Sequence, residues 1–368
     1  MFHLHHSNHL EALADALCAV LRVPVGGALE PEVVVVPNAG MARWVSLAVA
    51  QRLGIAANLD CPFPAGFIAR VVEGQWPDAG AGGAFDREVL ALRVLGLLPE
   101  LAATPGFESV RRYLAAGGEG LRGQRAWQLA QRVAAGFDRY QLYRPEWLTD
   151  WERGGADHWQ ARLWRALVAG ASGPHRARLM LDYAALAPDT LNLAALPARV
   201  SLFGLAALAP AHLAVLRQIA RRREVHLYFP NPCAEYWGDV RSERTQARVR
   251  ARTGTTPDFV AAGHPLLASL GVPARDFLDQ LAECDEAQSH EHFVTPASDT
   301  LLARLQRDML ALSAPQAGPS DAADRSITLH SCHSPLREVQ VLHDQLLAWF
   351  AADPTLEPRH IAVMVPDP

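Results

Sequence analysis

The first third of the chain shows short apolar runs that alternate with amphipathic segments. Phe2–His5 alternates apolar and polar residues and predicts a strand, and the apolar spacing from Leu10 to Val20 predicts a helix after it. Ser7 is the expected N-cap of that helix. Glu32–Val36 is a β-branched run, which is typical of a strand buried on both faces of a parallel sheet.

The same alternation continues after the second strand. The pattern predicts a helix from Met41 to about Leu53 and a further strand at Gly54–Leu59. Strands and helices that alternate over sixty residues indicate βαβ units, and therefore a parallel sheet with right-handed crossovers.

The middle of the chain, from Phe85 to Tyr183, shows helical periodicity throughout. The predicted helices are Arg87–Leu98, Ser109–Ala115, Trp127–Tyr140 and His158–Val168. The alternation of strand and helix then returns, with strands expected at Arg199–Gly204 and Glu224–Phe229 and a helix expected at Pro210–Arg222.

The last part of the chain is more polar and richer in arginine. Within 240–325 we expect two helices, at about 275–283 and 300–312, and Ser313–Asp324 is expected to be an exposed linker. Beyond the linker, strands at Ser326–His330 and His360–Val365 on either side of a helix at Glu338–Phe350 would make one more βαβ unit. We therefore expect the chain to continue in a longer protein.

The composition places the chain among globular proteins. Half of its 368 residues are hydrophobic, a fifth are charged, and the formal net charge is −5, which excludes a disordered chain and a polybasic tail. No apolar run approaches the roughly 18 residues that cross a bilayer. Histidines stand where a signal peptide would have its apolar core, so we expect a cytoplasmic protein.

Every basic residue except histidine is an arginine, because the sequence contains no lysine. A conventional P-loop needs a lysine on the β/γ-phosphates, and Schiff-base chemistry needs a lysine amine. Nucleases that place a lysine beside paired carboxylates are excluded for the same reason. The five cysteines lie far apart without a CxxC pair, which argues against a disulfide framework, a zinc ribbon and an iron–sulfur cluster.

The remaining candidates for catalysis are weak. His3, His5, His6 and His9 cluster near the N-terminus, but no carboxylate or cysteine stands at a matching metal-ligand spacing. Strand alternation puts His3 and His5 on one face and sends His6 into a turn. Ser7 lacks the flanking glycines of a nucleophile elbow. The sequence therefore predicts neither a metal site nor a catalytic centre.

Local groups of arginines and aromatic residues favour contact with nucleic acid. Single-strand grooves interleave cations with aromatic side chains, as Arg139, Tyr140, Tyr143 and Arg144 do here. Loop 37–44 follows a buried strand, at the edge where α/β sheets bind ligands, and it opens a helix whose N–H groups suit a phosphate. Two arginine-rich stretches, Arg221–Arg223 and Arg241–Arg252, are further candidates for phosphate contact, and Trp147 and Trp151 are expected to pack in the core.

Six stretches resemble the RecC family, the gamma subunit of bacterial exodeoxyribonuclease V. They are HSNHLEAL at 6–13, the long segment at 30–68, FDRYQLYRPEWLTDWE at 137–152, HLYFPNPCAEYWGD at 226–239, HPLLASLG at 264–271 and the segment at 327–350. They run in order over the whole chain, which would be the N-terminal third or so of the subunit.

The resemblance implies an α/β fold: a RecA-like parallel sheet of an inactive superfamily-1 helicase fold with a helical insertion subdomain. It divides the chain into the start of domain 1A at 1–84, a 1B-like helical subdomain at 85–190, the rest of domain 1A at 191–312, a linker at 313–325 and the start of domain 2A at 326–368. At the P-loop position, His6, Ser7 and Asn8 carry neither glycine nor lysine. The chain is thus expected to bind no ATP and no metal, while RecB-like and RecD-like partners would use ATP and Mg²⁺.

By the same resemblance, the subunit splits duplex DNA, guides the single strands and scans one of them for the regulatory Chi sequence. Expected DNA-binding positions are Asn38, Ala39, Arg43, Phe63, Asp138 and Arg144. Asp138 and Arg144 keep the family pattern, but Pro37, Ala39, Arg43, Ala69 and the pair Ala135–Gly136 depart from it, so recognition of the same Chi sequence is not implied.

Two other interpretations stay open from the sequence. The segment could be a protein-interaction scaffold that docks a partner motor without reading DNA. It could also belong to an active helicase–nuclease subunit of the AddB type, although the missing lysine and the missing cysteine cluster count against that class.

Overall fold

The structure is a computed structural model of the 368-residue chain. It describes residues 1–27, 29–77, 83–116, 118–254, 263–284, 287–315, 318, 321 and 323–365. The chain forms two compact units, one made of Met1–Thr295 with Asp308–Ala314 and one made of Pro296–Arg307 with Pro315–Pro368.

The first unit is built on a sheet of six parallel strands in the order β3-β2-β4-β5-β1-β6. The strands are β1 (Phe2–Ser7), β2 (Glu32–Val35), β3 (Leu59–Asp60), β4 (Arg199–Phe203), β5 (Glu224–Pro230) and β6 (Ala287–Glu291). Val33–Val36 and Arg199–Phe203 are buried, as expected of strands covered on both faces. The α/β class with a parallel, RecA-like sheet is confirmed.

Helices cover both faces of the sheet. On one face α1 (Leu10–Leu21) and α2 (Ala39–Leu53) bury apolar side chains against Val34, Val36 and Phe203. On the other face lie α3 (Pro64–Gln75), α9 (Arg176–Ala184), α10 (Pro210–Ala220), α12 (Pro265–Leu270) and α13 (Val272–Ala282). This second layer holds the larger core and includes the helix that follows β3.

The insertion between β3 and β4 is helical, as predicted. It contains α4 (Arg87–Ala102), α5 (Glu108–Ala115), α6 (Gly118–Tyr143), α7 (Pro145–Glu152) and α8 (Trp159–Ala169), followed by α9. The first five of these helices share a separate core centred on Phe137 and Trp164, whose rings are 5.2 Å apart. Each predicted helix exists, although α6 begins nine residues earlier than the periodicity indicates.

Three further helices complete the chain: α11 (Glu243–Thr253), α14 (Leu301–Leu310) and α15 (Pro335–Ala352). The second unit contains α15, which begins at the Ser334 cap, and no residue of α15 is buried. Among the described residues, no helix is long and apolar enough to cross a membrane.

Several local expectations were wrong. Ser7 is not the N-cap of α1, because the strand continues through it and His9 takes the cap position. His6 remains in β1 and does not enter a turn. The strand expected at Gly54–Leu59 shrinks to Leu59–Asp60, because Gly54 is the left-handed C-cap of α2 with φ 84°, a conformation that glycine adopts without strain.

The predicted βαβ unit near the C-terminus is also wrong in its strands. The helix is present as α15, but residues 326–330 and 361–365 are not in strands. Leu329 and Met364 are 94% and 92% exposed. An alternating pattern becomes a strand only when a neighbour takes up its backbone hydrogen bonds, and no such neighbour lies beside these segments in the part of the chain that is described. Ser313–Asp324 falls partly outside the described residues.

Sequence reasoning also missed six of the described elements. It assigned no individual helix at α3, α7, α9, α11 or α12, and it did not predict the edge strand β6. Most of these helices have eleven residues or fewer or begin at a proline, so their apolar periodicity is too short to stand out. The polar strand β6, with the sequence AQSHE, belongs to the sheet because it pairs with β1.

Candidate nucleic-acid interface

The predicted residues of the first loop lie together at the carboxyl edge of the sheet. The loop after β2 ends at Asn38, Ala39 follows it as the first residue of α2, and the loop after β3 carries Phe63. The two loops are joined by a backbone hydrogen bond in which the N–H of Val36 donates to the carbonyl of Pro62 at 3.0 Å. The sheet therefore brings together positions that lie 25 residues apart in the chain.

Asn38 is the N-cap of α2. Its Oδ1 accepts a hydrogen bond from the N–H of Met41 at 2.9 Å, which satisfies one of the free donors at the helix start. Ala39 is the first helical residue and not a loop residue, and both Ala39 and Arg43 are exposed. Arg43 forms no ion pair or hydrogen bond with another described residue, so its guanidinium is free to contact a ligand.

Phe63 presents its ring to solvent just before α3. The ring is 50% exposed, and Pro64 starts the helix at its first position, where a missing N–H costs nothing. In the first two turns of the helix, Ala65 and Ala69 line a cavity together with the end of α6. Helix α3 therefore links the exposed aromatic ring to the second group of predicted residues.

That second group lies at the end of α6 and the start of α7. Arg144 is exposed, its guanidinium lies 5.6 Å from the centre of the Trp147 ring, and its Nη1 donates to the carbonyl of Tyr143. Trp147 is 45% exposed, whereas Trp151 is buried. The expectation that both tryptophans are core residues is thus right for Trp151 and wrong for Trp147.

Asp138 pairs with Arg176 of α9. The Nη2 of Arg176 donates to the Asp138 carboxylate and also to its backbone carbonyl at 2.9 Å. The partner of Asp138 is therefore Arg176, although Arg144 is much closer to it in the sequence. Asp138 lies on α6, whereas Arg144 follows the end of that helix and is the N-cap of α7.

A cavity of about 240 Å³ lies between α3, α6, α9 and α10. Its lining includes Ala69, Gln141, Arg176, Met180 and His212. Gln141 is fully buried, yet neither its Nε2 nor its Oε1 has a hydrogen-bond partner among the residues that the structure describes. Native proteins rarely leave a buried side-chain amide unpaired, so this amide is free to bond to a ligand that enters the cavity.

The charges around the cavity are mixed. Burial, and after it the charge of Arg176, lowers the pKa of His212 to about 4, so its ring is neutral at neutral pH. Glu73 and Asp86 also line the cavity. The side chain of Arg176 is 41% exposed beside its carboxylate partner. The cavity thus offers the amide of Gln141, the neutral imidazole of His212 and the guanidinium of Arg176, whose charge is partly neutralised by Asp138. These groups suit a polar heterocycle better than a phosphate.

Gln141 and Arg176 were missed by sequence reasoning. Gln141 lies inside FDRYQLYR and could have been noticed as a polar residue three positions after Asp138, on the same helix face. No sequence signal marks Arg176, because α9 meets α6 only through the tertiary fold.

The position of a phosphate-binding loop, after β1, is occupied by protein contacts. The Ser7 hydroxyl donates to the carbonyl of His292 at 2.7 Å and accepts from the N–H of His9. The Asn8 side chain and the backbone of Val294 exchange two hydrogen bonds of 2.9 Å. The loop after β1 and the segment at His292–Val294 therefore satisfy each other's polar groups.

Histidines from three strands stack on one face of the sheet. His3 and His5 of β1 share that face, as predicted, and they meet His226, His290 and His292. His5 Nδ1 is 3.1 Å from His292 Nε2, and its Nε2 is 3.2 Å from His226 Nδ1. In the described part of the chain, no three potential ligands converge on a metal position.

The two arginine-rich stretches differ. Arg222 pairs with Asp189 at 2.6 Å, and Arg223 donates to the carbonyl of Leu193, so the first stretch is largely used within the fold. In the second stretch, the side chains of Arg244, Arg248 and Arg252 on α11 are exposed.

Comparison with known proteins gives one consistent result. The family described as "RecC, N-terminal domain" matches residues 2–312. The whole chain is 35% identical to the RecBCD enzyme subunit RecC of Escherichia coli and 32% identical to that of Haemophilus influenzae, over 37% and 38% of those proteins. Nearly all of it is 33% identical to the Mycolicibacterium smegmatis subunit, over 33% of that protein. The chain thus spans between a third and two fifths of these relatives.

Proposed function

Since this chain belongs to the RecC family, we propose that it is the DNA-handling part of a subunit without a catalytic site of its own. It would act in the cytoplasm in an ATP-dependent helicase–nuclease of the exodeoxyribonuclease V type, in double-strand-break repair by homologous recombination. RecB-like and RecD-like subunits would be its partners and would use ATP and Mg²⁺.

The observation that carries this proposal is the unpaired amide of Gln141 in the cavity beside Ala69. A glutamine amide presents one acceptor and two donors, the groups that pair with the edge of a base. The cavity opens between α3 and α6. Phe63 directly precedes α3, and Asp138 lies on α6. Exposed Phe63 offers a ring on which a base can stack, and Arg43 and Arg144 offer cations for phosphates.

The single strand would therefore pass along the loops after β2 and β3 and along the end of α6, while the cavity samples its bases. Phosphate contacts fix the register of the strand and base contacts read its sequence. Ala39 and Pro37 offer no side-chain hydrogen bond, and Ala69 cannot stack on a base. We therefore propose that the enzyme scans for a Chi-like sequence that differs from the family's Chi.

Forked DNA binding by the full chain tests the first part of the proposal. Fluorescence anisotropy should give an affinity that falls with salt, because each neutralised phosphate releases about 0.7 counterion from a single strand. Phe63→Ala and Arg144→Ala should each weaken binding several-fold, and Arg112→Ala, on the exposed side of α5, should not. Binding that is absent in the parent chain would contradict the proposal.

A degradation assay tests the sequence preference. The assembled enzyme should show no attenuation on substrates that carry the family's Chi sequence, and a randomised library should reveal any other attenuating sequence. Full attenuation at the familiar Chi sequence would show that the altered residues do not change recognition.

A protein-interaction scaffold is the second candidate, and α15 favours it. Its apolar side chains at Leu336, Val339, Leu347 and Trp349 are between 45% and 70% exposed. Loss of partner assembly without loss of DNA binding in the double variant Val339→Ser/Leu347→Ser would assign that helix to docking. A chain that assembles but never binds DNA would be a scaffold alone.

A further inference from the structure

Helix α11 is well formed although it buries no apolar stripe. Ser242 caps its start by accepting from the N–H of Thr245, and Gly254 ends it in the left-handed conformation with φ 80°. The sequence ERTQARVRART is polar along its length. A helix that is polar along its whole length is not stabilised by burial of an apolar face. Its caps and its surface contacts must stabilise it instead.

Its arginines lie on one side. At 100° per residue, Arg241, Arg244, Arg248 and Arg252 fall within an arc of about 80°, while Glu243 and Arg250 face away from that arc. The Nη1 of Arg241 donates to the carbonyls of Gly238 and Val240. The other three side chains of the arc, Arg244, Arg248 and Arg252, are exposed, and we call them the arginine stripe.

The arginine stripe is electrostatically uncompensated. None of its three members forms an ion pair or hydrogen bond with another described residue. Like charges four residues apart on a helix repel one another, and the lone acidic residue of α11 lies outside the arc. An anionic partner would relieve this repulsion, whereas the paired Arg222 has no need of one.

The chemistry of the arc favours phosphate over protein. Protein interfaces depend on buried aromatic and aliphatic anchors, and the arc holds no such residue; Thr245 lies about 20° beyond its edge. Arginine and threonine side chains are the usual donors to phosphate oxygens. Single-strand sites add aromatic stacking platforms, which the arc also lacks, so a duplex is the better match.

We infer that the arginine stripe of α11 is a second DNA site, which holds the sugar–phosphate backbone of duplex DNA. This inference rests on the proposed DNA-handling function. The three guanidinium groups span about 12 Å of helix, at 1.5 Å per residue. That length corresponds to about three to four phosphate intervals of one strand, each about 3.4 Å along the duplex axis. The stripe reads no sequence and fixes only position.

The test compares three triple variants of the full chain by anisotropy on duplex, forked and single-stranded DNA between 50 and 200 mM salt. Arg244→Gln/Arg248→Gln/Arg252→Gln should lose about tenfold or more in duplex affinity at 50 mM, and its slope of log K against log salt should fall by about 2.7. The corresponding triple lysine variant should keep the duplex affinity and the salt slope of the parent, because it keeps the three positive charges. Single-strand affinity should not change.

A matched control removes three other exposed arginines, Arg87, Arg112 and Arg132, by substitution with glutamine, and it should bind duplex like the parent. If the control loses as much duplex affinity as the stripe variant, the effect is one of net charge and the inference is overturned. The inference is also overturned if the stripe variant loses as much affinity for single-stranded DNA as for duplex. If the stripe variant binds duplex like the parent but no longer assembles with partner subunits, the stripe is a protein surface and the inference fails while the proposed function stands. A parent chain that binds no DNA would instead refute the proposed function.

Discussion

A buried amide without a hydrogen-bond partner costs about 1–3 kcal/mol of folding free energy, and Gln141 is such an amide. A side chain of the same size without polar atoms would pack in the same place without that cost. If the proposed function holds, a ligand that bonds to the amide would offset this cost, which no described residue does.

Gln141→Met should keep or raise the free energy of unfolding, by up to about 1 kcal/mol, and should weaken single-strand binding. Urea denaturation and anisotropy on the same preparation measure both. Gln131→Met, on the exposed side of the same helix, is the control and should change neither. A loss of stability greater than about 1 kcal/mol in Gln141→Met would show that the amide is satisfied in solution.

The stacked histidines make stability depend on pH. Burial, and after it the neighbouring histidines, lowers the pKa of His5 to about 3, and burial lowers that of His226 to about 4. The unfolded chain takes up these protons near pH 6.5 and the folded chain does not. Stability is therefore full above pH 6.5 and is lost as the pH falls toward 3–4.

His5→Phe should make the free energy of unfolding less dependent on pH below pH 6.5. One proton accounts for at most about 1.4 kcal/mol per pH unit of slope, and the phenyl ring keeps the stacking on Tyr228, whose ring centre is 4.5 Å away in the parent. Denaturation between pH 4 and pH 7 gives the slope. The exposed His343→Phe should leave it unchanged, and an unaltered slope in His5→Phe would mean that His5 is protonated in the folded state.

At the scale of single elements, the start of α2 carries one predicted residue that is used within the fold and one that is left exposed. Asn38 caps the helix, whereas Arg43, one turn on, is exposed and unpaired within the described chain. The family resemblance implies that both contact DNA, and the structure shows that Asn38 is also bonded within the fold whereas Arg43 is not.

Asn38→Ala should lower the free energy of unfolding by about 1 kcal/mol, because Met41 loses the acceptor for its N–H. Arg43→Ala should change stability by less than about 0.5 kcal/mol and should lower the single-strand salt slope by about 0.7. Asn38→Asp keeps a cap but adds a negative charge, so it should retain stability and weaken DNA binding. Thermal denaturation and anisotropy distinguish these outcomes, and a destabilised Arg43→Ala would contradict this division.

For the molecule as a whole, the position that a helicase uses for ATP is closed by the chain itself. Ser7 and Asn8 are bonded to His292 and Val294, where an active relative would need free N–H groups and a lysine. We therefore expect no ATP binding by this chain.

A ligand at one hundred times its dissociation constant stabilises a protein by about 2.7 kcal/mol. The melting temperature of the full chain should accordingly not shift with 1 mM ATP and Mg²⁺, and calorimetry should give no heat of binding. An active P-loop helicase subunit, measured in parallel, controls for the nucleotide. Micromolar affinity in either measurement would contradict the expectation.

The sequence by itself determined the α/β class, the central strands and the helical insertion. Val33–Val36 is apolar on both faces wherever it packs, and helical periodicity is carried by neighbours three and four residues apart. It also determined the absence of lysine chemistry, since a missing residue type needs no geometry. These features depend on short stretches of chain, which the sequence contains in full.

The tertiary structure alone decided which distant groups meet. His5 meets His226 across 221 residues, and Asp138 meets Arg176 and not the nearer Arg144. The same holds for strands: polar β6 pairs with β1, whereas the more apolar segment 326–330 is not a strand. The physical reason is that pairing and burial are properties of two partners, and a sequence pattern describes only one of them.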